Sequence, residues 1–264
     1  MAETQIARRT LSVLMICKNE ADRIEASLGS VGQWADEIVV LDSGSSDGTA
    51  DIARRYTDKV WVTDWPGYGA QRNRALDRCS CEWVLSLDAD EVLTDTLKAQ
   101  IDAALSDPAL SATVIKFPWR TYLFGRPILR GRYSSPQAKL FIREGTRYRD
   151  HLVHESLLMP VRKELRLSGY LDHYSWRDYQ HLQSKHLQYA HLLAVQKHAK
   201  ASRGSLVFAT LRFFVDFLQQ YLIRGGFLDG QRGFLMAVVL GQYAFHKYAA
   251  LWVMDQQDGE KPRS

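Results

Sequence analysis

Cysteine is scarce in this chain, with three in 264 residues, at 17, 79 and 81. The Cys79-x-Cys81 spacing is too tight for an ordinary zinc knuckle, and three thiols fit buried residues of a reducing compartment. Internal repeats and low-complexity tracts are missing. The first ten residues, MAETQIARRT, contain no apolar signal stretch, so export is not expected. Acidic residues thin out after position 90. From Lys116 to Arg149 there is a single one, Glu144, against nine Lys or Arg.

Apolar residues are plentiful. At 46% hydrophobic, the chain can bury one large core, or a domain with a helical appendix. Leu11 to Ile16 (LSVLMI) is a continuous apolar run of the kind buried in a parallel sheet. Asn19-Glu20 then opens a helical stretch with Ile24, Leu28 and Val31 at helical spacing. Glu37 to Leu41 predicts a second strand, closed by the polar turn Asp42-Ser43-Gly44-Ser45-Ser46-Asp47-Gly48-Thr49. A short helix around Ile52, a strand over 59–63, a helix over 69–76 and a strand over 82–87 follow. Repeated βα units imply an α/β fold with a mostly parallel sheet and helices on both faces. Ligands in such sheets collect at the carboxyl ends of the strands, where Asn19-Glu20, Asp42 and Asp88-Ala89-Asp90 all fall.

Spacing i, i+2 places Asp88 and Asp90 on one face of an extended chain. Such a pair repels itself unless a cation intervenes, and hard oxygen ligands suit Mg²⁺ or Mn²⁺ carrying a diphosphate. Alone, Asp-x-Asp reads more often as turn or cap residues.

The order Lys-Asn-Glu, Asp-Ser-Gly-Ser-Ser-Asp-Gly-Thr, Gly-x-x-x-Arg-Asn-x-x-Leu and Asp-Ala-Asp-Glu resembles the nucleotide-sugar half of the family-two inverting glycosyltransferases over residues 10 to 105. The resemblance implies a Rossmann-like GT-A fold and a sugar-nucleotide donor. It places Asn19, Glu20, Asp42 and Ser43 at the base and ribose. Arg72, Asn73, Asp88 and Ala89 come near the nucleotide, and Asp90, supported by Asp88, becomes the metal ligand. Val153-His154-Glu155 and Gly225-Gly226-Phe227-Leu228-Asp229-Gly230 resemble a bacterial subgroup, the heptose β-1,4-glucosyltransferases of the lipopolysaccharide core.

The basic segment 116–149 carries +8, so the rest of a chain of net +4 carries −4. A solvated face is the plain reading of such a run. Its aromatics follow no nucleic-acid module, so nucleic acid is not expected as a partner. Its place after the donor half suits an anionic acceptor at an anionic membrane, with Arg130, Arg132 and His154 as acceptor contacts. An inverting transferase also needs a base for the acceptor hydroxyl. A lone His-Glu pair reads as an ordinary surface pair, but the resemblance places one here and makes Glu155 the base, with Asp150 next. Asp95 and Asp102, on a predicted helix, are expected to be solvated.

Tyr179 to Ser202 is helical by pattern. Leu206 to Ile223 and Phe234 to Met254 are long apolar stretches separated by glycines, each interrupted by charge. Core helices, helices lying in a membrane interface and true spans all remain open for them. The expected organisation is a donor half over 1–110, an acceptor-side half over 111–176 and a helical region over 177–264. The expected protein is a metal-dependent hexosyltransferase, peripheral on the inner face of the bacterial inner membrane. It uses a UDP-hexose, UDP-glucose first, on a lipopolysaccharide core or other lipid-linked acceptor. A polyprenyl phosphate or protein acceptor, or a sugar-nucleotide-binding protein without turnover, are the alternatives.

Overall fold

The computed structural model describes residues 8–149 and 156–260. Elements follow in the order β1 (Leu11–Cys17), α1 (Ile24–Val31), β2 (Glu37–Asp42), α2 (Thr49–Ala53), β3 (Val60–Val62), α3 (Tyr68–Leu76) and β4 (Trp83–Ser86). Next come β5 (Glu91–Leu93), α4 (Asp95–Ser106), β6 (Val114–Leu123), β7 (Arg126–Ile128) and β8 (Pro136–Ile142). The short strands β9 (Arg147–Tyr148), β10 (Leu157–Leu158), β11 (Glu164–Arg166) and β12 (Leu171–His173) precede three long helices. These are α5 (Tyr179–His198), α6 (Leu206–Leu218) and α7 (Gly230–Glu260).

The chain divides into two compact units. The first comprises residues 1–120 and 135–175, the second 121–134 and 176–264. In the first unit, β3, β2, β1 and β4 lie side by side and parallel. Beyond β4 the direction changes: β8 is antiparallel to both β4 and β6, and β12 is antiparallel to β5. The α/β fold is the one expected, with a parallel run of four strands at one side of the sheet and, beyond it, a mainly antiparallel part in which β11 runs parallel to its partner β6.

Why β1 reads as unbroken apolar sequence is clear from its two faces. Leu11, Val13 and Met15 pack with Ile24, Leu28 and Val31 of α1 and with Leu97, Ile101 and Leu105 of α4. Leu14 and Ile16 pack instead with Ala75 and Leu76 of α3. Side chains alternate across a strand, so helices on both faces favour apolar residues throughout; the one polar exception, buried Ser12, donates its hydroxyl to Glu37. Each fully buried aliphatic side chain contributes about 1.5–3 kcal/mol by removal from water. All three cysteines are buried and unpaired, as expected.

Helix α1 begins at Ile24, four residues later than its sequence pattern suggests. The cause is Asn19, which sits in the left-handed region at φ 55° and cannot start a helix. Its backbone N–H donates to Ser45 Oγ at 2.8 Å, and its side-chain oxygen accepts from Ser46 N–H at 2.9 Å.

The second unit holds a core of its own. Leu123, Ile128, Trp176, Leu182, Met236, Val239 and Leu240 form it, and α7 packs against both α5 and α6. The two long apolar stretches therefore behave differently. Helix α7 buries Met236, Ala237, Val239, Tyr243, Ala244 and Leu251, while α6 buries Ala209 alone.

Candidate active site

The carboxyl ends of β1, β2 and β4 meet around two loops. After β2 the chain turns at Asp42, whose Oδ1 accepts from the N–H groups of Gly44 (3.0 Å) and Ser45 (2.7 Å). Its other oxygen accepts from the Ser45 hydroxyl. Gly44 and Gly48 adopt φ of 78° and 85°, a region costly for other residues. Asp42 is fully buried, so its carboxylate shapes the loop 43–48 from below. Glu20 N–H donates to Thr49 Oγ1 at 2.8 Å, which stitches the end of β1 to the same loop. Buried Gln71, which sequence reasoning overlooked, reaches up from α3 to donate to Ser43 Oγ (3.0 Å) and Thr63 Oγ1 (2.7 Å).

At the end of β4 lies a denser network. The Asp88 carboxylate accepts from Arg72 at 2.8 Å and from Lys139 at 2.6 Å. Arg72 also donates to Ser86 Oγ at 2.7 Å. Lys139, on β8, bridges to Glu91 at 2.9 Å, and Trp119 Nε1 donates to the same glutamate at 2.7 Å. Burial would raise the Asp88 pKa, but the cations of Arg72 and Lys139 outweigh it and hold the group ionised. Burial would likewise drive Lys139 toward neutrality. Asp88 and Glu91 reverse that and raise its pKa. Glu91, fully buried, is pushed upward by desolvation.

The repulsion expected between Asp88 and Asp90 is thus relieved by protein cations, which engage both oxygens of the Asp88 carboxylate. Asp90 is differently placed. Its Oδ2 lies 3.5 Å from His173 Nε2 and 3.9 Å from Arg23. His173 stacks on Trp119 with ring centroids 4.4 Å apart, and its strand β12 pairs His173 with Glu91 of β5. Among the described residues, no group of three His, Cys, Asp or Glu side chains gathers as a complete metal cage. A carboxylate oxygen beside an imidazole nitrogen still fits a divalent ion whose other ligands come from a diphosphate and water. Asp90 and His173 would hold such an ion.

Asn73 faces elsewhere. Its amide clasps the Tyr148 backbone, donating to the carbonyl at 2.9 Å and accepting from the N–H at 2.8 Å. Ala89 is buried between the two aspartates. Asp150, His154 and Glu155 lie outside the described residues. Arg130 and Arg132 are exposed residues of the second unit. Asp102 is not simply solvated: its carboxylate accepts from Trp34 Nε1 at 2.9 Å and from Arg8 at 3.2 Å. Several members of the basic run are spoken for as well. Besides Lys139, Lys116 pairs with Glu164 and Arg120 with Asp172.

A family model described as glycosyl transferase family 2 matches residues 12–157. An uncharacterized glycosyltransferase of Rickettsia bellii is 26% identical over 99% of this chain and 92% of its own. The lipopolysaccharide core biosynthesis glycosyltransferase LpsC of Rhizobium meliloti is 29% identical over 94% of this chain and 93% of its own. Among solved structures, the glucosyl-3-phosphoglycerate synthase of Mycobacterium tuberculosis aligns with a TM-score of 0.37 and 26% identity. That alignment covers 42% of this chain and 44% of that one. TarS of Staphylococcus aureus aligns over 96% of this chain and 93% of that one, with a TM-score of 0.47 and 18% identity.

Proposed function

The chain belongs to glycosyl transferase family 2 and is a glycosyltransferase, and from that premise we propose that it moves glucose from UDP-glucose, with inversion, to a lipopolysaccharide core acceptor at the cytoplasmic face of the inner membrane. The single observation that carries the reading is the strand-end cluster. Asp90 and His173 stand together at the rim, and Arg72 and Lys139 gather positive charge around Asp88. Supporting the choice of acceptor is the alignment, over 94% of this chain, with a relative named for lipopolysaccharide core biosynthesis.

In this reading residues 1–110 hold the donor and 111–176 form the acceptor side. Asn19, Glu20 and the Asp42–Thr49 loop receive the nucleoside. Asp42 and Gln71 act by fixing the loop, and Asn73 acts through Tyr148. Mg²⁺ or Mn²⁺ held by Asp90 and His173 would neutralise charge on the departing diphosphate. Arg72 and Lys139 keep Asp88 ionised and the Asp88–Glu91 turn rigid, so Asp90 is presented in one orientation. Glu155 takes the acceptor hydroxyl proton as that oxygen attacks the anomeric carbon from the face opposite the leaving UDP. Arg130, Arg132 and His154 bind the anionic acceptor.

The test is transfer of labelled glucose from UDP-glucose to heptose-bearing core lipid, run beside UDP-galactose and UDP-N-acetylglucosamine. Labelled product from UDP-glucose alone is expected. Product from another donor would correct the sugar, and product only on a polyprenyl phosphate or a protein would correct the acceptor.

A further inference from the structure

Helix α6 and the segment after it present an apolar surface that the second unit leaves uncovered. Val207, Leu211, Phe214, Leu218, Leu222 and Ile223 are all exposed, Val207 by 73% and Ile223 by 82%. Their spacing puts most of them on one helical stripe. The stripe continues into the turn Gly226–Asp229, where Phe227 and Leu228 are exposed too. Leu206–Ile223 is the one stretch among the described residues long and apolar enough to cross a membrane, with a mean hydropathy of 1.3 and only 11% of it buried.

Cations surround this surface. Arg203 before α6 and Arg224 after it are exposed. The loop carrying Arg126, Arg130 and Arg132 is fastened to its far end. Leu129 and Arg130 N–H groups donate to the Asp229 carboxylate at 3.2 and 2.9 Å, and Arg132 N–H donates to Gln220 Oε1 at 3.1 Å. A π-helical turn over Gln219–Ile223 accompanies the burial of Gln220 beneath that loop. The nearby acids are engaged: Asp229 by those two amides, Asp216 by Arg212 at 2.5 Å. Over the whole unit, 14 Lys or Arg face six Asp or Glu, a net +8, while the other residues of the chain sum to −4.

We infer that this face docks the protein on an anionic lipid bilayer, with α6 lying in the interface plane and its apolar stripe inserted at the headgroup boundary. An apolar stripe framed by Arg matches that partner on both counts. A second copy of the chain matches it poorly, because pairing two such faces would bring together like-charged units, each of net +8. A span is disfavoured by packing. Ala209 is fully buried, Arg212 and Asp216 lie in mid-helix, and a Cβ on Gly241 of α7 would meet the Phe213 ring at 3.0 Å. Helix α6 would have to leave α7 in order to cross.

The inference deepens the membrane-side part of the proposed function, and its test uses no sugar donor, so either can fail alone. Full-length protein is sedimented with vesicles of phosphatidylcholine alone and of phosphatidylcholine mixed with phosphatidylglycerol. Wild type should bind the mixed vesicles strongly, the neutral ones weakly, and lose part of the binding in high salt. The double variant Phe214→Gln/Leu218→Gln changes only exposed residues. It should keep the wild-type circular dichroism and bind about tenfold or more weakly. Arg224→Glu should weaken binding to the mixed vesicles about fivefold or more, and leave the neutral vesicles nearly unchanged. Unchanged vesicle binding by the double variant would overturn the inference. So would a wild-type dimer that ignores vesicles and dissociates on the same substitutions, or protein released only by detergent at any salt.

Discussion

At position 139 a lysine lies buried between two carboxylates, although by sequence it is one of nine cations in an open-looking run. Removing its charge leaves fully buried Glu91 without a cationic partner and Asp88 with Arg72 alone. Lys139→Met should therefore destabilise the protein by about 3–5 kcal/mol in urea unfolding. A cost below about 1 kcal/mol would mean that the network is solvated. His173 was equally hidden from sequence reasoning. It sits in a three-residue strand, and only the antiparallel pairing with β5, far away along the chain, brings it to Asp90. Local patterns carry no trace of such a register. Asp90 was legible because its i, i+2 partner and the preceding strand are contiguous. What could not be read was that Asp88 is already paired. Glu155→Gln should leave donor affinity intact while transfer falls ~10² or more, as expected for loss of a general base. Collapse of donor binding instead would make Glu155 a binding residue and leave Asp150 as the base.

Elements before residue 106 were legible almost to their ends, because each βα unit repeats a buried strand and an amphipathic helix. There are two exceptions: the short strand β5, which was not foreseen, and the start of α1, which turns on the backbone of Asn19, a feature no hydrophobic period reports. Strands after 114 pair with partners distant in sequence, and their antiparallel half-sheet was not foreseen. At the start of β2, Glu37 ties β1 to the segments before β3 and β4: its carboxylate accepts from Ser12 Oγ, from Lys59 Nζ at 2.5 Å and from Ser80 N–H at 2.7 Å. Burial alone would raise its pKa, but the bonds from Lys59, Ser12 and Ser80 prevail and hold it at about 2, below the ordinary 4.5. A depressed acid stabilises the fold fully above its unfolded value and loses that contribution as pH falls toward its folded value. Urea midpoints should thus decline between pH 4.5 and 2 in the wild type. Glu37→Gln should decline less over that window, and parallel curves would refute the role. In the donor loop, Gly48→Ala has open space for its Cβ but a φ of 85°, so a loss of about 1–2 kcal/mol is expected from backbone strain alone. Stability equal to wild type would show that the loop relaxes.

Taken whole, the chain joins a family-2 catalytic region, matched over residues 12–157, to helices beyond the match. Sequence alone left those helices as core, interfacial or spanning, since composition cannot say which apolar face is covered. Packing separates them, with α7 buried and α6 bare along one side. As an enzyme, the molecule should turn over a sugar nucleotide at the rim formed by Asp90 and His173. Bound ligand should show first in stability. Manganese together with UDP should raise the melting temperature more than either does alone, by mass action on the folded state. The most direct measurement is release of UDP from UDP-glucose with Mn²⁺, for the wild type beside Asp90→Asn. Slow release by the wild type, abolished by EDTA, is expected, with nearly none from an Asp90→Asn protein that still folds. Release by Asp90→Asn at the wild-type rate, or by the wild type in excess EDTA, would contradict it.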